Sequence, residues 1–201
     1  MKFLVFTDLH NDKEQRAKLV KRALETDVEF IVCCGDISTF GRGLRDVLNA
    51  FSKCGKKMYV IPGNHEEAQG EFDVILRDYS FCINLHKNSR KVGDYYFIGY
   101  GGGGFAQQDA EFRTMAREWY GKYKEHKTIL VTHGPPFNTT LDDLTGKARH
   151  VGNKDYRKFI ERIQPRLAIS GHLHETVGKT DKIGKTTLLN PGWEGMVIEL
   201  K

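Results

Sequence analysis

No stretch of this chain approaches the roughly 20 consecutive apolar residues that a membrane-spanning helix needs. The apolar run at Phe3 to Phe6 is too short for a signal-peptide core and no cleavage pattern follows it, so a cytoplasmic location is expected. The four cysteines, Cys33, Cys34, Cys54 and Cys82, form no C-x-x-C pair, so no zinc–thiolate site is expected; Cys33 and Cys34, in an apolar run, are expected to be small core residues. Repeats, low-complexity tracts and linkers are also missing, and 201 residues are expected to form one domain spanning 1–201. A strong imbalance of charge is missing too. A formal net charge of +5 suits an anionic small molecule but falls short of a dedicated nucleic-acid-binding module. Nothing in the sequence fixes an oligomeric state.

What the chain does have is alternation. Phe3 to Thr7, Phe30 to Cys34 and Met58 to Ile61 read as short buried strands, separated by helical patterns. In the first helix Asn11 is expected to cap, with Glu14 completing a capping box and Ala17, Val20 and Leu24 forming the apolar face. In the second, Leu44, Val47, Leu48 and Phe51 recur at helical spacing. Strands joined by helices of this length imply parallel pairing. Further strands are expected at Phe81 to Leu85, Tyr95 to Gly99, Thr128 to Thr132, Leu167 to Ser170, Thr186 to Asn190 and Met196 to Leu200. Helical stripes run through Phe112, Met115, Ala116 and Trp119 and through Tyr156, Phe159, Ile160 and Ile163. The expected class is α/β, bordering on α+β, with two face-to-face sheets and helices outside.

Polar residues of one chemical kind recur where these strands end. Asp8 and His10 follow the first, Asp36 the second, Asn64 and His65 the third, His133 a later one, and His172 and His174 another. Ligands gather outside the carboxyl ends of parallel strands. In extended chain, residues i and i+2 face one side, so Asp8 with His10, and His172 with His174, can reach a shared centre. Asp8, His10, Asp36, Asn64, His133, His172 and His174 are more ligands than one ion needs; two ions bridged by Asp36 would have four protein ligands each. Mixed imidazole and carboxylate donors suit manganese, iron, zinc, cobalt or nickel and argue against a magnesium or calcium cage.

The ordered motifs Asp8-Leu9-His10, Gly35-Asp36, Gly63-Asn64-His65-Glu66, His133-Gly134 and Gly171-His172-Leu173-His174 resemble those of the calcineurin-like metallophosphoesterase superfamily. The stretch from Val131-Thr132-His133-Gly134-Pro135-Pro136 to Gly171-His172-Leu173-His174-Glu175 is similar to bacterial and archaeal members related to cyclic-AMP phosphodiesterase. The resemblance implies an αββα sandwich with a dinuclear metal site at one edge. It implies that Asp8, His10 and His174 hold one ion, Asn64, His133 and His172 the other, and that Asp36 bridges them. His65 would bind the substrate phosphate and protonate the leaving oxygen while a metal-activated hydroxide attacks. Manganese is the expected ion. The expected reaction is hydrolysis of a small phosphate ester, a nucleotide or cyclic nucleotide among the candidates, by a phosphodiesterase. A phosphomonoesterase, a nucleotide pyrophosphohydrolase and a non-catalytic scaffold are the alternatives, the scaffold being disfavoured because His65 and all seven ligands are present.

Protein phosphatases of this superfamily carry G-D-x-x-D-R-G, and the run Gly35 to Gly43 does not match that spacing. Arg42, within that run, is a candidate phosphate contact. His150, in the long loop from Gly134 to about Gly152, is a candidate substrate-binding residue lining the entrance. The glycine run Gly101 to Gly104 is the other segment expected to flank the site.

Overall fold

A computed structural model describes residues 1–68, 70–144 and 149–200. The first sheet is built from β1 (Lys2–Phe6), β2 (Phe30–Cys33), β3 (Lys57–Val60) and β4 (Cys82–Asn84), all parallel, with β11 (Met196–Glu199) antiparallel on the outer edge of β1. Two short helices, α3 (Asn64–Glu67) and α4 (Phe72–Leu76), connect β3 to β4. The second sheet has the order β5-β6-β7-β8-β10-β9. Its parallel centre is β6 (Tyr95–Tyr100), β7 (Thr128–Thr132), β8 (Leu167–Ile169) and β10 (Thr186–Leu189), and its antiparallel edges are β5 (Asn88–Val92) and β9 (Thr180–Ile183).

Alternation along the strands divides the core. Phe3, Val5, Phe30 and Val32 face Phe97, Ile129, Val131, Leu167 and Ile169 between the sheets. Leu4, Phe6, Ile31 and Cys33 turn outward against α1 (Lys13–Glu25) and α2 (Leu44–Ser52). Ile98, Leu130, Ala168 and Leu188 turn outward against α5 (Ala110–Tyr123) and α6 (Lys154–Ile163). The result is the four-layer αββα sandwich. Strands buried on both faces read as continuous apolar runs, and for that reason β1, β2 and β7 are legible in the sequence.

Three expectations need correction. Asp12, not Asn11, caps α1, accepting the Gln15 N–H at 2.9 Å. Asn11 is unavailable because its backbone N–H donates to Ile37 O and its side chain accepts from Arg16. Tying residues 10 and 11 to the second crossover loop also sets the helix phase. The face turned to the core is Leu19 and Ala23 with the expected Val20 packed beside them, while Ala17 is exposed and Leu24 is 55% exposed. The edge strands β5 (NSRKV) and β9 (TDKI) were not expected, because an edge strand carries charged and polar residues in place of an apolar run. The loop expected from 134 to 152 is organised, in its described part, around Asp142. This buried carboxylate accepts from the backbone N–H groups of Asn138, Thr139 and Gly152.

Candidate active site

Parallel pairing brings the carboxyl ends of β1, β2 and β3, and those of β7 and β8, to one edge of the sandwich. Asp8, Asp36, His133 and His172 leave those ends directly. Asn64 and His65 open α3, and His174 opens a single 3₁₀ turn (His174–Thr176). The backbone here is held in an unusual state. Asp8, His10, Asp36 and His172 all have positive φ, at 54°, 46°, 50° and 69°. Left-handed conformation costs a residue with a side chain on the order of 1 kcal/mol and persists only where its surroundings enforce it. The enforcing contacts are hydrogen bonds between motifs: Asp8 N to Gly35 O at 3.1 Å, His10 N to Asp36 O at 2.9 Å, and Gly171 N to His133 O at 2.8 Å.

The side chains converge. Asp36 Oδ2 lies 3.3 Å from His133 Nε2 and 3.9 Å from both His10 Nε2 and His65 Nε2. His10 Nε2 and His174 Nε2 are 3.3 Å apart. Asn64 Oδ1 is 3.0 Å from His133 Nε2. Among the described residues, three groups of ligand atoms lie mutually within 4.8 Å: Asp8, His10 and His174; His10, Asp36 and His65; and Asp36, His133 and His172. Asp36 and His10 each belong to two of them. Two glycines make room for the carboxylates. A Cβ on Gly63 would meet Asp36 Oδ1 at 2.0 Å, and one on Gly171 would meet Asp8 Oδ2 at 2.5 Å.

The donor set fits cations. In neutral His133, Nδ1–H donates to Cys34 O at 2.9 Å, so the lone pair of Nε2 faces the oxygens of Asp36 and Asn64. Three acceptors pointed at one another repel unless a positive charge lies among them. Without a metal that charge is a proton. Burial opposes it, but the hydrogen bond and charge of Asp36 prevail and raise His133 to about 9. Burial alone would raise Asp36; the His133 contact and the His65 N–H hold it at about 2. Burial lowers His172 to about 4, with the His133 charge adding to the effect, and its Nε2 is buried without a hydrogen-bond partner. Burial also lowers His10 and raises Asp8. Neutral imidazoles and ionised carboxylates are the forms that ligate divalent transition metals.

Around this cluster are residues whose roles the sequence does not disclose. Buried Glu66 accepts Ser38 N–H at 2.9 Å, Ser38 Oγ–H at 2.6 Å and Gly63 N–H at 2.8 Å, fastening the loop after β2 to the turn that delivers His65. Gly101 N–H donates to His86 Nδ1 at 2.9 Å, and Gly103 N–H to Glu67 at 2.9 Å. These bonds seat the glycine run so that a Cβ on Gly104 would lie 3.6 Å from Asn64 and 3.7 Å from His172. Phe40, Phe105 and Trp193 lie against His65, His172 and His174 respectively. No periodicity distinguishes these residues, since each acts through a contact between distant segments. Arg42 and His150 lie in none of the three ligand groups. Arg42 is exposed on the turn that carries Phe40, and His150 Nδ1 is 2.8 Å from Asp142 Oδ1, in the loop that Asp142 organises.

The model of the calcineurin-like phosphoesterase family matches residues 1–176. An uncharacterized protein of Methanocaldococcus jannaschii is 34% identical over 202 aligned residues, which take in 95% of this chain and 88% of that one. Among solved structures, a protein of Thermus thermophilus superposes with a TM-score of 0.74 at 18% identity, covering 96% of this chain and 90% of that one. A dimetal phosphatase from Danio rerio superposes with a TM-score of 0.62 at 9% identity, covering 94% and 86%. Identities this low in the two structures speak to the fold alone.

Proposed function

This chain belongs to the calcineurin-like phosphoesterase family, and from that premise we propose that it is a phosphodiesterase for a small phosphate ester, with nucleotides and cyclic nucleotides as the leading class. Its cofactor is a pair of divalent cations, manganese first among the candidates. Asp8, His10 and His174 would hold one ion and Asn64, His133 and His172 the other, with Asp36 as the ligand they would share. The observation that carries this reading is the position of the Asp36 carboxylate, within 3.9 Å of nitrogens from His10, His65 and His133 at once. When bound, two such ions neutralise the phosphate and make hydroxide available near neutral pH.

The remaining work falls to the chain. His65 stays off the metals. Phe40 N–H donates to His65 Nδ1 at 3.3 Å, so the neutral ring carries its proton on Nε2, the nitrogen on the Asp36 side. As the imidazolium, its Nε2–H donates to the substrate phosphate and then passes to the departing oxygen, which otherwise leaves as an unstable alkoxide, and the ring is left neutral. The cluster sits at an edge of the sandwich, where the His10 and His65 side chains keep 25% and 19% of their surface open, and that access supports a substrate with two organic substituents.

The test is an assay of chelator-stripped protein reloaded with manganese, zinc, cobalt, nickel or iron, run on bis-p-nitrophenyl phosphate and p-nitrophenyl phosphate in parallel. Hydrolysis should appear only after reloading and be faster on the diester. Faster turnover of the monoester would make the protein a phosphomonoesterase. Failure on both esters with every metal, despite metal uptake, would remove the enzymatic reading.

A further inference from the structure

Four large hydrophobic side chains are exposed among the described residues, and the two that are aromatic, Phe40 and Phe105, both touch site histidines. Phe40 stacks on His65 with ring centroids 4.0 Å apart and an 18° tilt, yet remains 49% exposed. Phe105 meets His172 edge-on at 4.3 Å and 65°, and is 58% exposed. The two rings therefore stand over different ligand groups, one holding His65 and the other His172, with Asp36 common to both.

Neither position is what folding alone would choose. A phenylalanine left half in water forgoes most of the burial that makes the residue useful to a core. Phe40 also has φ 49°, an outlier for a bulky residue, in a turn closed by two Thr39–Arg42 backbone hydrogen bonds and by Gly41 N–H donating to Ser38 Oγ. Phe105 follows three glycines with φ of 76°, 80° and 42°, a path that carries the chain back over the site. Two exposed rings over one centre, one of them held on a strained backbone at Phe40, suit contact with something planar that arrives from solvent. Beside Phe40 lies a pocket of about 180 Å³, which Arg42, Leu44, Phe72 and Ile75 also line. It offers an apolar wall next to the ring, with Arg42 and the carboxylates of Glu66 and Glu71 also on its lining.

We propose that Phe40 and Phe105 are specificity-determining residues that hold a planar, π-rich substituent of the ester, so that the substrate is an aryl or nucleobase-bearing phosphate and not a small aliphatic one. This deepens the function proposed above and rests on phosphate binding at the same centre. Offset-stacked and edge-to-face rings are the geometries aromatic groups prefer, and one such contact changes affinity roughly 2- to 12-fold.

The experiment compares two non-hydrolysable anions with the same head group, phenylphosphonate and methylphosphonate, by calorimetry on the full-length manganese-loaded protein. The wild type should bind phenylphosphonate more tightly. Phe40→Leu and Phe105→Leu, which keep an apolar side chain and remove the ring, should each lower the phenyl-to-methyl affinity ratio roughly 2- to 12-fold. Adenosine 5′-phosphate against ribose 5-phosphate separates the two sources: a larger ratio for this pair than for the phosphonates identifies a nucleobase, a smaller one an aryl group. Equal affinity for the two phosphonates, or a ratio untouched by both substitutions, overturns the proposal. Equal weakening of both phosphonates leaves the ratio unchanged and so counts against it too, because rings that only brace the histidines would act that way. A protein that hydrolyses neither nitrophenyl ester yet retains the ring-dependent ratio would refute the function proposed above and leave this inference standing.

Discussion

Asp8 and His172, 164 residues apart, are joined through the backbone: His172 N–H is shared by the two carboxylate oxygens of Asp8, at 2.9 and 3.1 Å. One motif thereby orients the carboxylate of another, and the bond closes the site across both sheets. His65 N–H does the same for Asp36 Oδ1 at 3.0 Å.

Asp8→Asn keeps an oxygen for that N–H and removes the charge. Burial and the neighbouring Asp36 carboxylate disfavour the ionised form of Asp8 in the metal-free protein. The metal-free variant should therefore melt higher, by roughly 2–4 °C if the gain is about 1 kcal/mol at this chain length. The rise in melting temperature on adding manganese should shrink. Thermal unfolding with and without metal measures both, and a lower metal-free melting temperature would mean that the Asp8 charge itself stabilises the fold.

Asp36→Asn and Asn64→Ala should differ. Asp36 Oδ2 lies 3.9 Å from His10 Nε2 and 3.3 Å from His133 Nε2, nitrogens proposed for different ions, so its substitution should weaken uptake of both, while loss of Asn64 should weaken mainly the ion that His133 and His172 would hold. Calorimetric titration with manganese reads the two stoichiometries. Asp36→Asn binding two ions at wild-type affinity would show that it does not bridge.

His65→Ala should keep both metals and lose roughly 100- to 10,000-fold in turnover on an ester with a poor leaving group. The loss should be smaller on p-nitrophenyl esters, because p-nitrophenolate departs without protonation. Equal losses on both would mean that His65 positions phosphate without donating a proton, and loss of metal would make it a ligand.

His86 supplies an acid-sensitive support outside the ligand set. Burial, aided by Lys87, lowers its pKa against the pull of Asp73, Glu67 and Glu111, and its Nδ1 must be unprotonated to accept the Gly101 N–H. For a histidine whose folded pKa is depressed, the stabilisation is fully present above the unfolded value of about 6.5 and is lost as the pH falls toward the folded one. His86→Gln accepts the same bond and does not titrate. Denaturant unfolding of the two proteins from pH 7.5 to 5 should show the wild type losing stability relative to the variant, and parallel curves would discount the bond.

The double-sided burial of β1, β2 and β7 was legible because each is a continuous apolar run, and the candidate metal-binding residues stood out because each follows such a run at a strand end. Edge strands such as β5 and the phase of α1 were not, since solvent-facing polarity hides the first and a distant hydrogen-bonded loop sets the second. Within the site, residue type and order were written in the chain, for they are properties of short segments. The left-handed backbone at Asp8 and His172, the fastening of Ser38 to Gly63 through Glu66, and the rings of Phe40 and Phe105 over His65 and His172 were decided only by tertiary structure. Each joins segments far apart in sequence, and a contact between such segments has no local spacing by which the chain could announce it.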